Sequence, residues 1–310
     1  VRPTSAPVFD IQSLAVHDGE GLRTLVFLRG CPLRCAWCSN PEGQEAGPRM
    51  RWRAALCSGC LACRDACRRG AIRAGRRDGR TIPVLDRRFC EECRERACLE
   101  RCPAGALDVP GRDMTAEALF DILRRDMRLY WNTGGGVTFG GGEPLLHPEL
   151  VADVAERLRG YGVGTVIETC GEWDWERARP AILAAEGIYF DLKALDPEKH
   201  RRLTGRDNAA ILANLKRLAE RMPDEVIVSL PVIPGVSDST DWAREAGAFL
   251  AGLGLRRARL LPYHRLGVGK YEALGRPYPH AAEDLEVDPS LVTAMRNVLA
   301  AAGLEVTIDG

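Results

Sequence analysis

Three cysteines stand close together in Cys31-Pro32-Leu33-Arg34-Cys35-Ala36-Trp37-Cys38, directly after the apolar run Thr24-Leu25-Val26-Phe27-Leu28. Soft thiolate sulfur favours iron–sulfur or zinc over hard cations, and three thiolates at this spacing can hold three corners of a cubane cluster. The fourth iron is then left without a protein ligand. An open coordination position distinguishes a reactive metal site from a scaffold, because a substrate or cofactor can bind there directly. The competing reading, structural zinc, needs a fourth ligand, and the loop has no histidine to supply it.

Eight further cysteines form two runs that repeat one another crudely. The first is Cys57-x2-Cys60-x2-Cys63-x3-Cys67 and the second Cys90-x2-Cys93-x4-Cys98-x3-Cys102-Pro103. They resemble a bacterial two-cluster ferredoxin, in which the fourth cysteine of each run serves the other cluster. That resemblance assigns Cys57, Cys60, Cys63 and Cys102 to one cubane and Cys67, Cys90, Cys93 and Cys98 to its partner. Two departures stand out: four residues separate Cys93 from Cys98, and Arg68 takes the place of the usual proline. Paired zinc knuckles are the alternative, since C-x2-C groups also suit zinc.

Other polar residues fall where strands should end. Gly140-Gly141-Gly142-Glu143 follows the strand 136–139, Glu168-Thr169-Cys170-Gly171 closes 165–168, and Asp191-Leu192-Lys193 closes 188–191. Carboxyl ends of parallel strands share one rim, which the cysteine loop also joins by following the strand 24–29. Glycines admit a ligand close to the backbone, carboxylates suit an ammonium and Lys193 suits a carboxylate. An amino-acid-like ligand fits that set.

The elements needed to position these residues are legible as short β-rich runs separated by helical patterns. Further strands are expected at 225–230, 258–261 and 305–308, and helices near Pro148, over 208–219 and over 291–301. Thr115 is an N-cap for an amphipathic helix presenting Leu119, Ile122 and Leu123. Repeated βαβ units of this kind predict an α/β fold, either a partial (β/α)6 barrel or a doubly wound sheet. The stretch 8–23 reads as a glycine-punctuated loop.

With 310 residues the chain can bury a large core, and its 43 basic and 43 acidic side chains cancel. No overall field favours nucleic acid or an anionic membrane. No leader pattern and no apolar run near eighteen residues is present, which together with twelve cysteines suited to a reducing compartment predicts a cytoplasmic protein. Lysine occurs only at positions 193, 199, 216 and 270, so positive charge is almost entirely arginine.

The cysteine loop, with His17-Asp18-Gly19-Glu20-Gly21-Leu22-Arg23-Thr24, Gly135-Gly136-Val137-Thr138-Phe139-Gly140-Gly141-Gly142-Glu143-Pro144-Leu145, Pro231-Val232-Ile233-Pro234-Gly235 and Leu261-Pro262-Tyr263-His264-Arg265-Leu266-Gly267, resembles the glycyl radical enzyme activating enzymes of the radical SAM superfamily. The subset with a ferredoxin-like insert is the one it is similar to. The resemblance implies a radical SAM partial barrel formed by residues 1–50 and 111–310, with an insert over 51–110. It implies S-adenosylmethionine, one [4Fe-4S] cluster on Cys31, Cys35 and Cys38, and two auxiliary [4Fe-4S] clusters in the insert. Gly141, Gly142 and Glu143 would cradle the methionine amine. Glu168, Asp191 and Lys193 would hold the cofactor and possess room for a monovalent cation, and Asp18 would lie near the substrate.

The implied act is removal of a hydrogen atom from a glycine of a partner glycyl radical enzyme, with a flavodoxin or ferredoxin as electron donor. Relatives have proline where this chain has Glu20, beside the substrate. A second reading, radical chemistry on a small molecule such as epimerisation of a sugar, would use Cys170 as hydrogen donor. The plainer reading of Cys170 is a buried core thiol. A third class, an electron-transfer ferredoxin fused to a binding barrel, has no use for a loop of three cysteines.

Overall fold

A computed structural model describes residues 4–16, 18–91, 93–280 and 286–309. His17 and Glu92 lie outside the described residues. Thirteen strands are present among them: β1 Ser5–Ala15, β2 Arg23–Leu28, β3 Arg51–Trp52, β4 Ile72–Arg77, β5 Arg80–Leu85, β6 Leu107–Asp108, β7 Arg112–Thr115, β8 Gly136–Gly141, β9 Gly164–Thr169, β10 Gly187–Asp191, β11 Val226–Val232, β12 Arg257–Pro262 and β13 Glu305–Ile308.

Nine of them form one sheet in the order β13-β12-β11-β10-β9-β8-β2-β1-β7. The seven strands from β13 to β2 run parallel, each to the next, while β1 and β7 add antiparallel at one edge. The sheet is open, with β7 and β13 as its borders. Central strands covered on both faces should be continuously apolar rather than alternating. Accordingly Leu25, Val26 and Leu28 of β2 and Val137 and Phe139 of β8 are all buried.

Helices connect the successive parallel strands. The helix Pro148–Arg159 starts with proline at its first turn and buries Leu150, Val151, Val154 and Leu158. Each of those side chains contributes about 1.5–3 kcal/mol, so the apolar stripe outweighs any single cap. Thr115 does cap the helix Ala116–Leu123, its Oγ1 accepting from the Ala118 N–H at 3.2 Å. Asp174, Asp196 and Ser239 cap later helices in the same way.

The loop expected over 8–23 is mostly strand. β1 pairs with β2 in a register that shifts between Val8 and Asp10 and again between Gln12 and Ala15, and Leu14 takes φ +68°. These irregularities break the two-residue alternation by which a strand is recognised, so the pattern reads as a turn. Pairing with the apolar β2, not local preference, makes this segment extended.

A second buried cluster, separate from the main core, contains Met50, Trp52, Cys63, Ala71, Ile72, Cys90, Cys98, Ala106 and Leu107. The short pair β3–β6 joins the two ends of this stretch, Arg51 opposite Asp108 and Trp52 opposite Leu107. Arg51 adds a two-pronged bond to the Asp108 carboxylate at 2.9 and 2.8 Å.

Candidate functional site

A cavity of about 550 Å³ opens at the carboxyl ends of the parallel strands. Its lining includes Cys31, Cys35 and Cys38 after β2, Gly141 and Gly142 at β8, Glu168 and Cys170 at β9, Asp191 and Lys193 at β10, Pro231 of β11, Arg259 of β12 and Asp309 after β13. Every parallel strand therefore contributes. Asp18 also lines it, brought in by the turn before β2 and anchored where its carbonyl accepts from Thr138 Oγ1 at 2.7 Å. Glu20 is exposed and does not line the cavity.

The cysteine loop is held from both sides. Arg34 and Ala36 donate their N–H groups to the Thr204 and Leu203 carbonyls, at 2.7 and 3.0 Å, at the end of the helix Pro197–Thr204. Those carbonyls have no partner inside their own helix, so the loop satisfies them. On the other side Gly30 N donates to Gly43 O and Cys31 N to Gln44 O. Gly142 lies so close to this junction that a Cβ there would come within 2.3 Å of Gly30 O and 2.6 Å of Gly43 O. Gly141 adopts φ +100°, against the backbone of Phe27. Both glycines thus permit backbone packing between β8 and the loop.

Burial pushes the Cys35 thiol up to about 12, opposed by Lys193 and reinforced by Cys38 and Cys31. Burial also raises Cys38. Three desolvated thiols this close cannot all ionise unless a positively charged metal joins them, and iron would supply that charge. Among the described residues no three His, Cys, Asp or Glu side chains converge on a single-ion position. A cubane does not need such convergence, because each thiolate binds a different iron. The donor set fits an iron–sulfur cluster with one protein-free corner.

Gln44, which is 3% exposed, reaches the loop from below. Its side chain favours the Cys38 thiolate, its Nε2 donates to Tyr271 OH at 3.3 Å, and its Oε1 accepts from Arg276 Nη2 at 2.8 Å.

Cys170 is buried and hydrogen-bonds to Cys31, which raises the Cys170 thiol and lowers that of Cys31. Glu143 lies outside the cavity lining. Its carboxylate is fully buried, accepting from Leu145 N, from Thr169 Oγ1 and from Cys170 N at 2.7 Å. Burial lifts it to about 6 despite those donors. The side chain ties the end of β9 to the turn after β8.

Lys193 is nearly buried, and although burial disfavours its charge, Asp191 at 2.9 Å, with Cys35 and Cys170, keeps it protonated and raises its pKa. Deeper in the cavity, Arg259 spans three strands: Nε donates to Ser229 Oγ at 2.7 Å and Nη2 to Glu168 Oε1 at 2.8 Å, and the guanidinium lies 3.9 Å from the Tyr189 ring centroid. Nη1 approaches Asp309 at 3.8 Å. Arg259 was not singled out from the sequence, although an arginine between Ala258 and Leu260 in an apolar strand was a usable signal.

The other eight cysteines gather in two sets. Cys57, Cys60, Cys63 and Cys102 line one small cavity with Trp52 and Leu107. Cys98 is pushed up to about 11 by burial, and the charges of Cys67, Cys90, Cys93 and Cys63 raise it further. Cys60 is exposed, whereas Cys63, Cys90 and Cys98 are buried.

Comparison with known proteins adds four findings. The radical SAM superfamily model matches residues 96–244, a little under half of the chain. The chain is 38% identical over 304 residues to the isethionate sulfite-lyase activating enzyme of Oleidesulfovibrio alaskensis, covering 97% of this chain and 96% of that one. It is 39% identical over 280 residues to the indoleacetate decarboxylase activating enzyme of Tractidigestivibacter scatoligenes, covering 88% of each. Among solved structures, a radical SAM methyltransferase from Sphaerobacter thermophilus matches with TM-score 0.50 and 17% identity over 99% of this chain and 77% of that one, a likeness of fold alone.

Proposed function

The chain belongs to the radical SAM activating enzymes, and on that premise we propose that it removes a hydrogen atom from a glycine of a partner glycyl radical enzyme. The observation that carries this reading is the convergence of Cys31, Cys35 and Cys38 with Lys193, Gly141 and Gly142 on one cavity. When bound, a [4Fe-4S] cluster supplies one electron that splits S-adenosylmethionine into methionine and a 5′-deoxyadenosyl radical.

The protein's part is to bind and orient. Cys31, Cys35 and Cys38 hold the cluster, with Gln44 and Cys170 hydrogen-bonding to two of their sulfurs. Lys193, fixed by Asp191, would meet the methionine carboxylate, and Gly141 and Gly142, which line the same cavity, would meet the amine. Glu143 keeps that wall in place through Thr169 and Cys170. Asp18 lines the same cavity and would lie near the glycine-bearing segment, while Glu168, held by Arg259, would help hold the cofactor. The segment 51–110 is a ferredoxin-like insert carrying two further [4Fe-4S] clusters, supported by its separate buried cluster and by the two sets of four cysteines. A flavodoxin or ferredoxin supplies its electrons.

Radical chemistry on a small molecule with Cys170 as hydrogen donor has less support, because the Cys170 thiol is engaged by Cys31 on the cluster side. The test is anaerobic incubation with S-adenosylmethionine, reductant and the partner enzyme. A glycine-centred paramagnetic signal on the partner is expected, lost in Cys35→Ala and kept within about tenfold in Cys170→Ala. Cofactor cleavage surviving in Cys35→Ala, or no signal on any partner while Cys170→Ala abolishes deuterium uptake into a sugar, would overturn the reading.

A further inference from the structure

A cavity of about 230 Å³ lies where the segment 51–110 meets the rest of the chain. Arg49 borders it from before the segment, Arg87 and Cys90 from within it, and Gly275 and Arg276 from beyond the helix Leu266–Ala273. Three arginines thus share the cavity with a single carboxylate among the described residues, that of Glu45. Guanidinium groups do not shed their protons, so charge of the opposite sign must face them or their burial is costly.

Two of the three have partners that supply it or stand in for it. Arg49 has Glu45 at 3.7 Å, and Arg276 donates to Gln44 Oε1 at 2.8 Å with its guanidinium 5.1 Å from the Tyr271 ring centroid. Arg87 is held differently. Its Nη1 donates to Met50 O and its Nη2 to Ala273 O, the latter at 2.9 Å, so both partners are neutral carbonyls. Gly275, at φ +66°, makes room for it, because a Cβ there would come within 2.3 Å of Arg87 Nε. The guanidinium is therefore fixed and half-buried, and no carboxylate among the described residues pairs with it.

The negative charge it meets belongs to Cys90. Burial disfavours the Arg87 cation and Cys90 opposes that, while burial and Cys67 raise the Cys90 thiol and Arg87 opposes both. A cubane on four thiolates carries about −2 when oxidised and about −3 after gaining one electron. A fixed cation beside it favours the state with the larger negative charge, and half-burial limits the screening by water. The other set of cysteines is met by Arg80, which donates to Cys57 O from an exposed side chain, where solvent weakens its charge.

We propose that Arg87 is the fixed counter-charge of the cluster on Cys67, Cys90, Cys93 and Cys98, and that it raises the reduction potential of that cluster. The inference rests on the reading that the segment holds two clusters. The cluster gains one electron from an external reductant, Arg87 keeps all its protons, and no bond forms or breaks.

The test is a redox titration of the iron-loaded full chain with dithionite, followed by the paramagnetic signal of each reduced cluster. The signal that Cys98→Ser removes marks the cluster in question. In Arg87→Met and Arg87→Gln the ratio of reduced to oxidised cluster at a fixed potential should fall about tenfold, a shift of about 59 mV for one electron. Arg87→Lys keeps the charge and should stay within about threefold of wild type, and the other two clusters should not move. Glutamine can still donate to a carbonyl, so it reports the charge even where the methionine variant fails to load iron. An unchanged ratio in Arg87→Gln with full iron content, or a tenfold fall in Arg87→Lys as well, would overturn the proposal. About four irons per wild-type chain in place of about twelve would instead remove the reading on which it rests.

Discussion

Gln44 shows how one buried amide can act on a metal site without ligating it. With Arg276 donating to its Oε1 and Tyr271 accepting from its Nε2, the amide cannot flip, and its NH2 end is left to favour the Cys38 thiolate. A hydrogen bond to a cluster sulfur favours the more negative, reduced state, so its loss lowers the reduction potential. Gln44→Leu should shift the potential of the reactive cluster down by roughly 60 mV, the one-electron equivalent of about 1.4 kcal/mol. A spectroscopic redox titration would check it, and an unchanged potential with intact iron content would show that the bond has no electronic effect. Glu143 carries the converse lesson. A carboxylate beside a glycine run reads as a ligand-binding group, but complete burial with Leu145, Thr169 and Cys170 as donors makes it a brace between two strand ends.

At the scale of elements, the parallel strands hold the site because their ends are braced side to side. Arg259 on β12 bonds Ser229 on β11 and Glu168 on β9, with Tyr189 of β10 beneath its guanidinium. The register puts these residues on one face: Tyr189 pairs with Glu168, and Ser229 with Arg259. Removing the arginine leaves a carboxylate facing a crowded interior. The Glu168 side chain keeps 28% of its surface open toward the cavity, so water screens part of the cost. Arg259→Met should destabilise the fold by about 2–3 kcal/mol, and Glu168→Gln should recover about half of that in the double variant. Denaturant unfolding of the four proteins of the cycle would measure it; additive effects would mean that the two side chains do not act as a pair.

Across the whole molecule, cysteines fall in two separate buried clusters. The main core has Cys170 within it and Cys31 and Cys35 packed against it, while Cys63, Cys90 and Cys98 belong to the smaller one. With three cubanes loaded, iron and acid-labile sulfide should each reach about twelve per chain. The variant with Cys60→Ser and Cys98→Ser should drop to between about four and eight while still cleaving S-adenosylmethionine with dithionite. Four irons in wild type, or zinc in the place of iron, would remove the two-cluster insert. No helix among the described residues is long and apolar enough to cross a membrane.

By itself the sequence determined the cysteine sets, the order of strands and helices along the chain and the polar residues at the strand ends, because spacing, periodicity and capping are local properties. Thr115 caps its helix as its type and position require, and the parallel strands fall where their apolar runs lie. Only the tertiary structure decided which way those polar groups point. Pairing with β2 turned 5–15 into a strand, and burial withdrew Glu143 from the cavity. The curl of the sheet brought Arg259 across three strands to Glu168, and Arg276 to Gln44 spans 232 positions. Contacts between residues so far apart in the chain leave no period or spacing to read, since they arise only when strands and helices pack.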